Sequence, residues 1–294
     1  MAAPRNVTDN STTPPRLAIY GSEWGLLELP RLPHHRAWTF EETVEKLAAA
    51  GFDGVQTNPQ NQKTLYQYGL RYATAGRVNA VSEVSPHIQT AAETGADCTT
   101  LHVGWGMESD AEIDALVDAI LDASARYNLP AYIETHRATI AQDTWRISRF
   151  IARHPDVRFN GDFSHRYCGN EVTYPGFANF RHHFLPILER TSFLHGRISN
   201  AESMQVDIGD GYSNPHAQNF LWLWETTFRA WGNGARSGDI FPFTPELGPP
   251  SSGYSITYTD PDGRLTEISD RWQQTLVLRD LAKHAWNKAQ LPTA

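Results

Sequence analysis

The chain has 294 residues, of which 40% are hydrophobic and 20% charged, and its formal net charge is −8 at pH 7. This length is sufficient for one large domain or two small ones with a buried core. The acidic balance argues against a nucleic-acid-binding protein, whose footprint is a basic surface. No apolar run is long enough to span a membrane. From these two observations we expect neither nucleic-acid nor membrane partners.

The N-terminal segment and the cysteines indicate the cellular context. Residues 1–15 are mostly small and polar and lack the apolar region of a signal peptide, so we predict a disordered leader there. Two cysteines, Cys98 and Cys168, are too few for a disulfide framework. They fit a reducing compartment, which predicts a cytoplasmic location.

Short β-type runs alternate with amphipathic helical patterns along the rest of the chain. One such helix covers Ala111–Tyr127, with Asp110 as a candidate N-cap. Eight strands with intervening helices predict an α/β fold, a single (β/α)8 TIM barrel over residues 16–294, with a doubly wound open sheet as the alternative. The predicted strands are Leu17–Trp24, Gly54–Asn58, Arg71–Arg77, Cys98–Gly104, Ala131–His136, Arg158–His165, Ser192–Ser199 and Ile240–Leu247.

Ionisable side chains stand at the ends of four successive predicted strands: Glu134, Asp162, His195 and Glu246. The carboxyl ends of barrel strands meet at one face, where the chemistry of this architecture collects. Three carboxylates and one imidazole suit a hard or borderline divalent ion such as Mn²⁺, Mg²⁺ or Co²⁺, with Zn²⁺ less favoured. We predict one divalent metal ion there, and unrelated caps or surface groups are the alternative.

Other side chains beside these four are candidates for substrate binding. His136 shares a strand face with Glu134 because side chains repeat every two residues, and His102 lies near the end of the fourth strand. Trp24 and Trp105 follow strand ends, where an aromatic ring can pack against the C–H face of a sugar. Alternatively, His102 is a hydrogen-bonded histidine of the core, and the two tryptophans only fill the mouth of the barrel.

The strand-end elements together resemble a known family. One element lies on each of predicted strands five to eight, and the set resembles the xylose-isomerase-like TIM-barrel superfamily, in particular its sugar isomerase/epimerase branch of the D-tagatose 3-epimerase type. The likeness covers about residues 16–286. The four elements are Glu134, Asp162-Phe-Ser-His165, His195-Gly-Arg197 and Glu246.

The resemblance implies a mechanism as well as a fold. In that branch the four corresponding residues bind one divalent metal ion, and two of them, here Glu134 and Glu246, also act as acid and base. His165 and Arg197 would contact the substrate. We therefore expect a metal-dependent sugar isomerase or epimerase that works through a cis-enediolate of a keto- or aldo-sugar.

Departures from the family pattern keep other functions open. The stretches Glu134–Arg137, His195–Gly211 and Pro249–Gly263 are atypical of an epimerase. The same site could expel a β-leaving group, as a lyase or dehydratase acting on a 3-keto-glycoside or an inosose. A sugar-binding barrel without activity and a barrel endonuclease are further alternatives. The expected partner is a small carbohydrate, and a homo-oligomer is left open because the tryptophan-rich helix near Trp222 could form an interface or pack on the barrel.

Overall fold

Eight parallel strands close into a barrel in the computed structural model, which describes residues 2–31, 36–174 and 176–290. The barrel strands are β2 (Arg16–Ser22), β3 (Gly54–Gln56), β4 (Arg71–Val78), β5 (Thr99–Val103), β6 (Ala131–Glu134), β7 (Phe159–Gly161), β8 (Thr191–Gly196) and β9 (Asp239–Pro245). Three short strands lie outside the barrel: β1 (Val7–Thr8), β10 (Thr257–Thr259) and β11 (Leu265–Glu267). Each strand from β2 to β9 pairs in parallel with the next, and β9 also pairs with β2. The predicted (β/α)8 barrel is confirmed, since an open sheet would leave two edges unpaired.

Helices connect the barrel strands. They are α1 (Glu23–Leu26), α2 (Phe40–Ala49), α3 (Gln62–Gln67), α4 (Val81–Glu93), α5 (Asp110–Tyr127), α6 (Thr144–Arg153), α7 (Phe163–Gly169), α8 (Phe177–Leu188), α9 (Pro215–Gly232) and α10 (Arg271–Ala289). Within the described ranges, no helix has the length and hydropathy that crossing a membrane requires.

The start of α5 differs from the prediction by one residue. Asp110 is not the N-cap but the first helical residue, and Ser109 caps the helix instead. The Ser109 hydroxyl accepts the backbone N–H of Glu112, and the Glu112 carboxylate accepts the backbone N–H of Ser109. This reciprocal capping box satisfies two N–H groups that the first turn leaves without helical partners.

Part of the N-terminal segment pairs with the barrel, in contrast to the disordered leader predicted over 1–15. Val7 and Thr8 form β1, which pairs antiparallel with Ile240 and Asp239 at the start of β9. Val7 is buried among the side chains that fill the barrel interior. The physical reason is that an apolar side chain within a polar segment closes the amino-terminal end of the barrel.

Aromatic side chains fill the barrel beneath the carboxyl ends of its strands. The ring of Phe193 on β8 lies 6.4 Å from that of Tyr20 on β2 and 6.3 Å from that of Tyr132 on β6, measured between centroids. These strands are not neighbours, so the three rings meet across the interior. The barrel is therefore filled with side chains at this level.

The tryptophans of α9 pack on the barrel. The Trp224 ring lies 5.0 Å from that of Phe243, and the Trp231 ring lies 5.3 Å from that of Phe241. Both tryptophans are buried. These two side chains therefore serve helix-to-barrel packing, which was one of the two roles expected for this helix.

Candidate metal centre and active-site cavity

The four side chains predicted to bind a metal ion come together at the carboxyl ends of the strands. One ligand atom from each of Glu134, Asp162, His195 and Glu246 lies within 4.8 Å of the others. Glu134 ends β6 and His195 lies in β8, while Asp162 and Glu246 immediately follow β7 and β9. The first three are at most 2% exposed and Glu246 is partly buried, so their charges need compensation inside the protein.

Asp162 owes its position to a helix start. The predicted strand Arg158–His165 is too long, because β7 stops at Gly161 and Asp162 becomes the N-cap of α7. Its Oδ1 accepts the backbone N–H of Ser164 at 3.1 Å. The first turn of α7 then places Nε2 of His165 at 3.5 Å from Oδ2 of Asp162.

His195 presents one ring nitrogen to the carboxylates. Its Nε2 lies 2.9 Å from Oε1 of Gln56, whose amide nitrogen donates to the hydroxyl of Thr100. The amide oxygen therefore faces the ring, which assigns a proton to Nε2 and turns Nδ1 toward the carboxylates; a bound cation would replace the Nδ1 proton and take its lone pair. Nδ1 lies 3.4 Å from Oε2 of Glu134 and 3.2 Å from Oε2 of Glu246, buried and without a hydrogen bond. A divalent cation fits this set, since it would take that lone pair together with the carboxylate oxygens.

The electrostatics of the cluster favour ionised glutamates. Burial raises the pKa of Glu134, but the neighbouring imidazoles outweigh it and hold the pKa well below its usual range. Burial likewise raises the pKa of Glu246, and His195 and Arg197 reverse this and lower it. Burial raises the pKa of Asp162 despite the charge of Arg197. Burial disfavours the imidazolium of His195, yet the two glutamates raise its pKa to about 10. The carboxylates thus attract positive charge to their centre.

Three imidazoles stack along one wall of the site. The His136 ring lies 4.1 Å from the His102 ring and 3.9 Å from the His165 ring, measured between centroids. Nε2 of His102 lies 3.0 Å from Oε1 of Glu134. Because β6 ends at Glu134, His136 does not share a strand face with it as predicted but reaches the wall from the following loop. Burial lowers the pKa of His136 to about 4, so its ring is neutral at pH 7.

A cavity of about 440 Å³ opens above the cluster. Of the side chains predicted to bind substrate, Trp24, His102, His136 and Arg197 line it. His165 and Trp105 do not. His165 is buried beside Asp162 and Arg197, whereas Trp105 is 61% exposed and the guanidinium of Arg77 lies 5.1 Å from its ring centroid. A cavity of this size is within the range of small-molecule sites.

The sequence interpretation missed three residues of the site: Gln56, Tyr254 and Glu23. The Tyr254 hydroxyl lies 3.2 Å from Nε2 of His136, and the Arg197 guanidinium lies 4.6 Å from the Tyr254 ring centroid. Glu23 lines the same cavity. The unusual composition around Tyr254 and the position of Glu23 next to Trp24 were signals, whereas Gln56 gave none.

Comparisons with known proteins give a fold but no close relative. No protein-family model and no curated protein matches the chain. A xylose isomerase-like TIM barrel protein from Mycobacterium smegmatis, solved in complex with magnesium, has 12% identity and a TM-score of 0.54, over 92% of this chain and 98% of that one.

Two sugar epimerases have similar structures. An L-ribulose 3-epimerase has 12% identity and a TM-score of 0.52, over 93% of this chain and 95% of that one. A D-psicose 3-epimerase, crystallised in the presence of D-fructose, has 13% identity and a TM-score of 0.52, over 85% and 94%. At these identities the likeness concerns the fold, and the chain has the xylose-isomerase-like TIM-barrel fold that its strand-end elements predicted.

Proposed function

We propose that the protein is a divalent-metal-dependent sugar isomerase or epimerase. The observation that carries the proposal is the pair of ionised carboxylates, Glu134 and Glu246, that meet at Nδ1 of His195 beside a cavity. A divalent cation held by these three residues and Asp162 would supply Lewis-acid chemistry, making a carbon next to a carbonyl more acidic. The sugar epimerases of the same fold support this reaction class.

The two glutamates approach the cavity from different sides. Glu134 ends the fifth barrel strand and Glu246 follows the eighth, and these strands are not neighbours. Glu134 would remove the proton from carbon, giving an enediolate, and Glu246, after taking up a proton from water, would return it to the opposite face. This transfer inverts the carbon, whereas return by the same carboxylate to the adjacent carbon gives isomerisation.

Arg197 and His165 offer donors to the enediolate oxygens. Nη2 of Arg197 lies 3.3 Å from Nε2 of His165, and because a guanidinium only donates, that nitrogen accepts and Nδ1 carries the proton. Nη1 of Arg197 and Nδ1 of His165 are both buried without hydrogen-bond partners. Burial holds the pKa of His165 well below its usual range, so the ring is a neutral donor. Such fixed donors stabilise charge that develops during reaction.

Incorporation of deuterium from heavy water tests the proposal. The protein loaded with Mn²⁺ is expected to exchange a carbon-bound proton of a ketose such as D-fructose, D-tagatose or D-ribulose. Glu134→Gln, which removes the base, should slow this exchange by about 10²–10⁴-fold. The matched control Glu93→Gln, on an exposed residue of α4, should leave it unchanged. Absence of exchange with every sugar would contradict the proposal.

A second candidate function is β-elimination from a 3-keto-glycoside or an inosose by the same carboxylates. The observation that favours it is Tyr254, whose hydroxyl lies 3.2 Å from Nε2 of His136 at the cavity wall. Burial raises the pKa of Tyr254, so the phenol keeps its proton and could donate it to a leaving group. Elimination predicts that the wild type releases the aglycone from a 3-keto-glucoside and that Tyr254→Phe does not. If the wild type leaves the glycosidic bond intact, elimination is excluded.

A further inference from the structure

Glu23 forms a second polar end of the cavity, apart from the metal ligands. It begins α1 directly after β2, and it lines the cavity with Trp24 and Thr57. The Thr57 hydroxyl donates to Oε2 of Glu23, and the amide of Asn61 donates to Oε1 at 3.1 Å. These two donors fix the carboxylate, which retains lone pairs for further donors.

The charge of Glu23 disfavours an anionic group beside it. Within the described ranges, the acidic and guanidinium side chains of the lining are Glu23, Glu134, Glu246 and Arg197. The single guanidinium is already paired, because its Nη2 contacts Asp162 and lies 3.4 Å from Oε2 of Glu246. The side chains that donate to Glu23 are Thr57, Asn58 and Asn61, all uncharged, so a phosphate among them would meet the carboxylate with no cation among its immediate partners.

We propose that Glu23, Trp24 and Thr57 form a subsite for the hydroxyl groups of an uncharged, unphosphorylated sugar. The inference rests on the proposed function of the same cavity. A fixed carboxylate accepts hydroxyl protons in charge-assisted hydrogen bonds. Trp24 adds an apolar surface for the C–H face of the sugar, and its ring is held edge-to-face by Tyr254 with centroids 5.5 Å apart.

Calorimetric binding to the Mn²⁺-loaded protein tests the subsite. The probes are D-fructose, D-tagatose and D-ribulose, each compared with its terminal phosphate ester. We expect at least one neutral sugar to bind, and its ester to bind at least about tenfold more weakly. Glu23→Gln should weaken binding of the neutral sugar about tenfold. The ratio of the affinities for the neutral sugar and its ester should therefore become smaller in this variant. The control Glu93→Gln should change neither, and thermal melting should establish that both variants fold.

Three results would overturn the subsite: a phosphate ester that binds as tightly as its parent sugar, an unchanged affinity in Glu23→Gln, or no binding of any neutral sugar. The proposed function fails differently. Neutral sugars that bind in a Glu23-dependent manner without deuterium exchange would contradict the isomerase and leave the subsite standing. Exchange that does not depend on Glu23 would contradict the subsite alone.

Discussion

The amide oxygen of Gln56 lies 2.9 Å from Nε2 of His195 and thereby decides which nitrogen of that imidazole faces the carboxylates. Gln56 is buried, and its own orientation is set by donation to Thr100. This hydrogen bond reaches across the barrel from the second strand to the seventh. Support of this kind orients a ligating histidine and raises its basicity.

Gln56→Leu should weaken divalent-metal binding about 10–100-fold, because His195 would no longer be held with its lone pair toward Glu134 and Glu246. Calorimetric titration with Mn²⁺ measures the loss. Gln56→Glu should recover most of the affinity, since a carboxylate still accepts from Nε2 and the Thr100 hydroxyl can rotate to donate. Equal affinity in the wild type and Gln56→Leu would show that His195 needs no such support.

Gly248→Ala should disturb the cavity wall. A Cβ at this position would lie 2.5 Å from Cβ of Tyr254 and 2.7 Å from Cη2 of Trp24. The backbone has little room to yield, because Gln205 hydrogen-bonds both its N–H and its carbonyl. We expect a loss of about 1–3 kcal/mol in the free energy of unfolding and weaker sugar binding.

The control for Gly248 is Gly169→Ala, at the exposed end of α7, where an added Cβ has no neighbour within 4 Å. Its stability should be unchanged or slightly raised, since alanine favours helix over glycine. Chemical denaturation compares the two variants. If Gly248→Ala and Gly169→Ala change the free energy of unfolding by similar amounts, Tyr254 and Trp24 do not pack closely against Gly248.

Val7→Ala should destabilise the protein by about 2 kcal/mol, because the removed methyl groups are buried in the barrel interior and leave a cavity. Thr12→Ala, at an exposed position of the same segment, should cost less than about 0.5 kcal/mol. Urea denaturation gives both values. An equally small loss for Val7→Ala would indicate that β1 does not contribute to the fold.

His87 gives stability a pH dependence away from the metal ligands. Burial lowers its pKa below the usual 6.5, and its Nε2 lies 3.0 Å from the hydroxyl of Thr99. The unfolded chain therefore binds the proton first, so the free energy of unfolding falls as the pH drops below about 6.5. His87→Gln should lose less stability than the wild type between pH 7.5 and 5.5 in thermal melts. Equal losses would exclude a contribution of His87.

Much of the architecture could be predicted from local patterns. Strand and helix periodicity gave the barrel, and a barrel brings strand ends to one face, so Glu134, Asp162, His195 and Glu246 were recognisable as one group. The carboxyl ends of the barrel strands other than β4 were predicted too long, because a polar residue after a strand is equally compatible with a helix cap, as at Asp162.

The remaining features depend on contacts between distant segments. Gln56 and Tyr254 act on His195 and His136 through tertiary neighbours, which no periodicity encodes. Trp105 was assigned to the cavity because it follows a strand. Its flanking glycines adopt φ of +65° and +85°, and its backbone N–H donates to Glu108, which leaves the ring outside the cavity. Left-handed glycines turn the chain in ways that spacing alone does not reveal.

The most direct test of the metal-dependent mechanism is an anomalous difference map from crystals soaked in Mn²⁺. A metal-dependent mechanism predicts one peak per chain, about 2.0–2.3 Å from Nδ1 of His195 and from a carboxylate oxygen of each of Glu134, Asp162 and Glu246. In crystals of His195→Ala the peak should be weakened or lost. A saturating soak that leaves the four side chains without a peak, or with a peak elsewhere in the barrel, would contradict it.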